Sequence, residues 1–254
     1  MVEKGDFVKV DLTARIKESG EIFETTYEEV AREAGIYDER KVFVPMSVVV
    51  DGGHFLPAID EALIGMEEGG SKHLEILPKD GYGERNPTSI KMIPLKEFKN
   101  SNINPTAGMQ VTMGYNEGRV LTVNGGRVKV DFNHPLAGKT LEYDLKVVKV
   151  IEDDVEKVKS MIALHYPIQP NFDLEKTKVK IDGKTVIIEL YKTANLNKNQ
   201  TQFAITQAKS RISKDIWKNM DVEKVEFVES FEKPPEKEEN SEDKKTSDPE
   251  KSIE

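Results

Sequence analysis

Between Val8 and Lys17 the chain alternates strictly, with Val8, Val10, Leu12, Ala14 and Ile16 set against Lys9, Asp11, Thr13, Arg15 and Lys17. A period of two predicts a strand with one buried and one wet face. Tyr27, Val30, Ala31 and Ala34 then recur at i, i+3, i+4 and i+7, the spacing of a short amphipathic helix, which Gly35 ends. "VFVPMSVVVDGG" is a second apolar strand region. "FLPAIDEALIGM" has the features of a short helix, with Pro57 in its first turn and Gly65 after its last. "SKHLEIL" alternates again and runs into the turn residues of "PKDGYGERNP".

From Asn86 to Phe132 the texture changes to short β-like pieces joined by Pro and Gly, and Asn124-Gly125-Gly126 between Val123 and Val128 marks a hairpin. The loop "NHPLAG" then leads into Leu141, Tyr143, Leu145 and Val147 alternating with Glu142, Asp144 and Lys146, which matches the opening strands. A small β-rich domain is therefore expected to interrupt a larger sheet. After Ile151 the pattern changes once more. Asp153 and Glu156 have capping-box spacing ahead of Val155, Val158 and Ile162, and "KVKIDGKTVIIEL" is a hairpin around Asp182-Gly183. Ile205, Ala208, Ile212 and Ile216 mark a long helix, and "VEKVEFVESF" closes with a strand. The order is α-β-β-α-β, and Trp217, the single tryptophan, is assigned to that unit's core. The expected domains are 1–84 joined with 134–152, an insert at 85–133, a C-terminal α+β unit at 153–231, and a tail at 232–254.

Composition narrows the function. A chain of 254 residues calls for more than one core. Its net charge of −9 opposes phosphate backbones, so no nucleic-acid partner is expected. The tail "EKPPEKEENSEDKKTSDPEKSIE" holds almost no aliphatic residues and is read as disordered. The absence of cysteine removes thiolate sites and thiol nucleophiles, no apolar run reaches membrane-spanning length, and the charged N-terminus lacks an apolar leader segment. A cytoplasmic protein with no membrane contact is expected. His54, His73, His134 and His165 form no i,i+4 pair, so neither a metal site nor a cofactor is expected. Phosphate-loop and nucleophile-elbow patterns are also missing.

Four separated stretches, "GEIFETT", "VVVDGGHFLPAIDEALIGMEEGG", "LPKDGYGERNP" and "NHPLAGKTLEYDLKVV", together resemble the FKBP-type peptidyl-prolyl cis-trans isomerases, in the long archaeal, SlyD-like branch. The resemblance implies an α+β fold: an antiparallel sheet wrapped on a short helix, a small inserted flap, and a C-terminal extension. It implies an apolar proline pocket of Phe23, Met46, Phe55, Leu56, Ile59 and Tyr143, with Leu136 at its rim and the Tyr82 hydroxyl or a backbone N–H holding the substrate carbonyl. Three positions depart from the family pattern: Leu12 stands where Tyr is usual, Glu24 where Asp is usual, and Ile59 where Trp is often found. Leu12 is carried over as a substrate contact and Glu24 as a catalytic group. On residue type alone, Phe23, Met46, Phe55 and Tyr143 are ordinary core.

The resemblance also implies that the insert binds unfolded, proline-containing polypeptides through Met92, Ile93, Leu95, Phe98, Met109 and Met113, the competing reading being that these form the insert's own core. A C-terminal unit of this size either folds alone or pairs with a copy of itself, which would make a homodimer. The metal-binding tail common among bacterial relatives is replaced here by Lys, Glu, Asp and Ser. Two classes of function follow: a prolyl isomerase with an attached chaperone flap, or a non-catalytic holdase that uses the same scaffold to bind peptides.

Overall fold

The computed structural model describes residues 1–166, 174–190 and 198–229, so the expected acidic tail lies outside the described residues. The strand predicted at the start of the chain is β1 (Phe7–Ile16), and its even-numbered residues Val8, Val10, Leu12, Ala14 and Ile16 are all buried. It runs along the middle of an antiparallel sheet. One edge pairs with β2 (Ile22–Thr25) and β3 (Met46–Val49), and the other pairs over its full length with β9 (Leu141–Ile151), which in turn pairs with β4 (Ser71–Ile76). Helix α1 (Glu28–Glu33) buries Ala31. Helix α2 (Pro57–Leu63) buries Ile59, Ala62 and Leu63 against Val8, Val10, Leu12, Leu141, Tyr143 and Leu145. The expected α+β fold, a sheet wrapped on a short helix, is the fold found. The apolar run before β3 extends less far than its hydrophobicity predicts, because Val42 and Val44 are exposed.

A bulge divides the sheet's faces. Lys9 pairs with Lys149 and Val10 with Val147, which leaves Val148 without a partner on β1. One extra residue reverses which face the following side chains take. Leu141, Tyr143, Leu145 and Val147 face the α2 core, whereas Ile151, which simple alternation would put there too, joins Phe7 and Val49 in a second core with the C-terminal unit.

Residues 90–131 form a separate four-stranded antiparallel sheet in the order β5 (Ile90–Pro94), β8 (Arg127–Asp131), β7 (Asn116–Asn124), β6 (Gln110–Met113). Gly125 and Gly126 take φ of 55° and 74° in the hairpin between β7 and β8, the backbone this tight turn requires. Directly after β5 comes α3 (Leu95–Asn100), a single short helix that the reading of short β-like pieces did not include and whose Phe98 fills the insert's core. The two chain crossings into the insert are fastened together. Arg85 pairs with Asp131, the Asn86 N–H donates to Asn133 Oδ1 at 2.9 Å, and Asn133 Nδ2 returns a bond to the Asn86 carbonyl at 3.0 Å.

The C-terminal unit places α4 (Asp154–His165) and α5 (Lys198–Asn219) with a sheet in which β11 (Thr185–Glu189) lies between β10 (Lys178–Asp182), antiparallel to it, and β12 (Lys224–Phe227), parallel to it. The parallel pair requires a crossover, which α5 supplies. Ala208, Ile212 and Ile216 form the buried stripe of α5. Trp217 is one step off that stripe and 51% exposed, so its expected place in the core is corrected. Among the described residues, no helix is long and apolar enough to cross a membrane.

Only half of the capping box forms at α4. The Asp153 carboxylate accepts from the Glu156 N–H at 2.9 Å, while the Glu156 side chain turns instead to Lys149. With no reciprocal bond to compensate, Asp153→Ala is expected to cost about 1 kcal/mol, read as a lower urea midpoint, and Glu156→Gln much less.

Candidate active site

The expected pocket residues come from five separated stretches. Phe23 and Glu24 lie on β2, Met46 opens β3, Phe55 and Leu56 lead into α2, Tyr82 sits between Gly81 and Gly83 after β4, and Tyr143 lies on β9. Leu56 is in extended backbone and Pro57 starts the helix, so the chain enters α2 already set at the φ the helix needs. Phe23, Met46, Phe55, Leu56 and Leu136 are partly buried against the α2 core, which also contains Ile59 and Tyr143. The Phe23 and Tyr143 rings meet edge to face, with centroids 6.1 Å apart and planes at 82°, a favoured arrangement for an aromatic pair.

Leu12 is 1% exposed and belongs to the same buried core as Ile59 and Tyr143. Its backbone is held by a polar clasp: the Leu12 N–H donates to Thr26 Oγ1 at 3.0 Å, and that hydroxyl donates to Asp11 Oδ1 at 2.8 Å.

The polar groups sit in an environment that opposes charge. Glu24 keeps an exposed surface, yet the surrounding walls displace enough water to raise its pKa above the ordinary range, against the pull of Lys41. Tyr82 is raised by burial and then by the charge of Glu24. Tyr143 is held far above the usual tyrosine range by burial first, and then by Tyr82 and Glu24. Three residues distant in sequence therefore act on one another electrostatically in one place.

Two partners were not singled out as site residues from sequence. The His134 ring stacks on Tyr82 with centroids 4.1 Å apart and planes 3° from parallel, and its Nδ1 accepts the Leu136 N–H at 3.2 Å. The Gly138 N–H donates to the Gly83 carbonyl at 2.8 Å. The "NHPLAG" loop thus holds the "GYG" turn, and the only sequence signal was that both are Gly-punctuated loops beside the insert. The second partner is Lys41, the cation opposing the rise at Glu24, which no motif marked.

A cavity of about 990 Å³ opens between segment 40–47 and α4, and it shares Glu24, Lys41 and Met46 with the groups described above. It is a distinct feature of the junction with the C-terminal unit.

The insert residues separate by burial. Ile93 and Phe98 are core and Leu95 and Met113 pack against that core, whereas Met92 is 55% and Met109 37% exposed. Ile93 and Phe98 are accordingly removed from the expected chain-binding surface, because the small sheet needs them to cover its own interior.

Comparison with known proteins gives the following. A family profile described as "FKBP26, IF domain" matches residues 91–136, and one described as "FKBP26_C-terminal" matches 154–232. A short-type peptidyl-prolyl cis-trans isomerase of Methanocaldococcus jannaschii is 36% identical over 147 residues, which cover 58% of this chain and 92% of that protein. The FKBP-type peptidyl-prolyl cis-trans isomerase SlyD of Treponema pallidum is 33% identical over 125 residues, 46% of this chain and 68% of that protein. An FKBP-type 16 kDa peptidyl-prolyl cis-trans isomerase of Escherichia coli is 29% identical over 97 residues, 36% of this chain and 64% of that protein.

The raised pKa of Glu24 has a definite linkage sign. A carboxylate whose folded pKa exceeds its unfolded value favours the folded state below the unfolded pKa, and that contribution is lost as pH rises through the folded pKa. Carboxyl-carbon NMR titration is expected to place Glu24 above an ordinary glutamate, and Lys41→Ala is expected to move it higher. Glu24→Gln is expected to flatten the fall in stability over that window.

Proposed function

The chain belongs to the FKBP-type peptidyl-prolyl cis-trans isomerases, and from that premise we propose that it catalyses rotation about X-Pro bonds of unfolded or partly folded chains in the apolar group around Tyr143. The observation that carries this reading is the convergence of Phe23, Glu24, Tyr82 and Tyr143 in a setting that raises the pKa of all three ionisable members. Tyr143 is buried, so the inner wall of this group is shielded from water, while Glu24 and Tyr82 keep exposed surface.

That is the environment the reaction uses. The barrier to peptide rotation is about 18–20 kcal/mol because amide resonance is lost on twisting, and X-Pro bonds alone populate both isomers appreciably. A twisted amide carries less charge on its oxygen than a planar one, so walls that offer little solvation penalise the planar ground state more than the transition state. No nucleophile is needed. Phe23, Met46, Phe55, Leu56 and Tyr143 enclose the proline ring over a floor of Ile59 and Leu12, with Leu136 at the rim. The Tyr82 hydroxyl, held in place by the His134 ring, donates to the substrate carbonyl. Glu24 takes a backbone N–H, either of the substrate or of the pocket.

The insert supplies the second part of the proposal. Met92 and Met109 are exposed on a small sheet whose interior is already filled. Flexible thioether side chains adapt to varied apolar segments. Holding a chain there raises the local concentration of its prolines at the pocket. The non-catalytic holdase alternative keeps this surface but gives no acceleration of isomerisation.

Tyr143→Ala is expected to lower kcat/KM on a short X-Pro peptide by about tenfold or more while the protein remains folded; an unchanged value in a folded variant would refute the pocket. Met92→Ser with Met109→Ser should leave peptide kcat/KM within about twofold while slowing catalysed refolding of a proline-limited protein. Equal losses in both assays would make the two methionines structural.

A further inference from the structure

His54, His165 and Asp215 are far apart in sequence and follow no ligand spacing, yet the fold brings them together at the seam between the isomerase sheet and the C-terminal unit. His54 lies in the loop between β3 and α2, His165 is the last residue of α4, and Asp215 is on α5. Their ligating atoms all lie within 4.8 Å of one another. His165 Nε2 is 2.6 Å and His54 Nε2 3.5 Å from the same oxygen, Asp215 Oδ2. The three side chains are only 14%, 13% and 19% exposed, so the group is enclosed rather than a surface coincidence.

A second observation concerns the same group. His54 Nε2 is buried without a hydrogen-bond partner, and Asp60 Oδ1, on a residue whose charge acts on His54, is in the same condition. Buried polar atoms are nearly always paired, and one aimed into a cluster of donor atoms calls for an occupant.

We propose that His54, His165 and Asp215 form a divalent transition-metal site, with Zn²⁺ as its occupant, that staples the isomerase sheet to the C-terminal unit. Two imidazoles and one carboxylate suit Zn²⁺, whereas Mg²⁺ and Ca²⁺ require six or more oxygen ligands. Tetrahedral ligands at the usual Zn–N and Zn–O distances stand about 3.3 Å apart. The 3.5 Å between His54 and Asp215 is close to that value. The shorter His165–Asp215 contact opens when the ion takes the place of the proton between them, that proton moving to Nδ1 or to solvent. Water fills the fourth position. Asp60 and Lys218, which act on His54 with opposite signs, stand in the surrounding shell.

The site differs from the proline pocket but is adjacent to it in sequence. His54 immediately precedes Phe55 and Leu56, so an ion there fixes the loop that carries both side chains.

The test uses the full chain, stripped with a chelator and titrated with ZnCl₂ by calorimetry. One Zn²⁺ per chain with a raised thermal midpoint is expected, together with the intense visible bands of low-coordinate Co²⁺ when cobalt replaces zinc. His165→Gln and Asp215→Asn, checked for folding by circular dichroism, should each weaken binding at least about tenfold, while His73→Gln, a histidine on β4, should leave it unchanged. Uptake well below one ion per folded wild-type chain, or a folded His165→Gln or Asp215→Asn variant that binds as tightly as wild type, overturns the proposal.

Discussion

The pairing of β1 with β9 organises everything else in the molecule. It runs from Phe7 opposite Ile151 to Ile16 opposite Leu141 and joins stretches separated by most of the isomerase sequence. Closing so long a loop costs entropy that grows with its length. The insert reduces the effective length, because it folds on its own sheet and its two crossings are bolted together by Arg85–Asp131 and the reciprocal Asn86–Asn133 bonds. To the main sheet, the insert then acts as a short connection.

The same pairing builds the site. Tyr143 lies opposite Ala14 on one neighbour and Leu74 on the other, and the small Ala14 leaves room for an aromatic ring on the inner face. Phe23 reaches that ring from β2, which hangs on the other edge of β1. Tyr82 is held by the loop that returns the chain from the insert to β9. Pocket and insert are coupled through a few residues at the neck, so the insert can be held close to the pocket without contributing side chains to its core.

The bulge at Val148 gives the sheet its second role. By reversing the face of the last residues of β9, it sends Ile151 to join Phe7 and Val49 beneath α4 and α5. The C-terminal unit is thereby seated on the isomerase sheet through a shared apolar core rather than tethered to it by a linker. That seating brings His165 and Asp215 up to His54.

Whatever depends on local periodicity and turn chemistry could be read along the chain. The strict alternation of β1 and β9, the Gly125-Gly126 hairpin, the cap at Asp153 and the stripe of α5 were legible because each places apolar or turn-forming residues at a fixed short spacing. Resemblance in four separated motifs carried the family. What depends on distance in three dimensions came only with the packing of the elements. That packing buried Leu12 in the main core, withdrew Ile93 and Phe98 into the insert's core and left Trp217 half-exposed. It also stacked His134 on Tyr82 and gathered His54, His165 and Asp215. Burial and long-range proximity have no period along the chain; they follow from which faces pack together, and here a single extra residue in β9 changes that assignment.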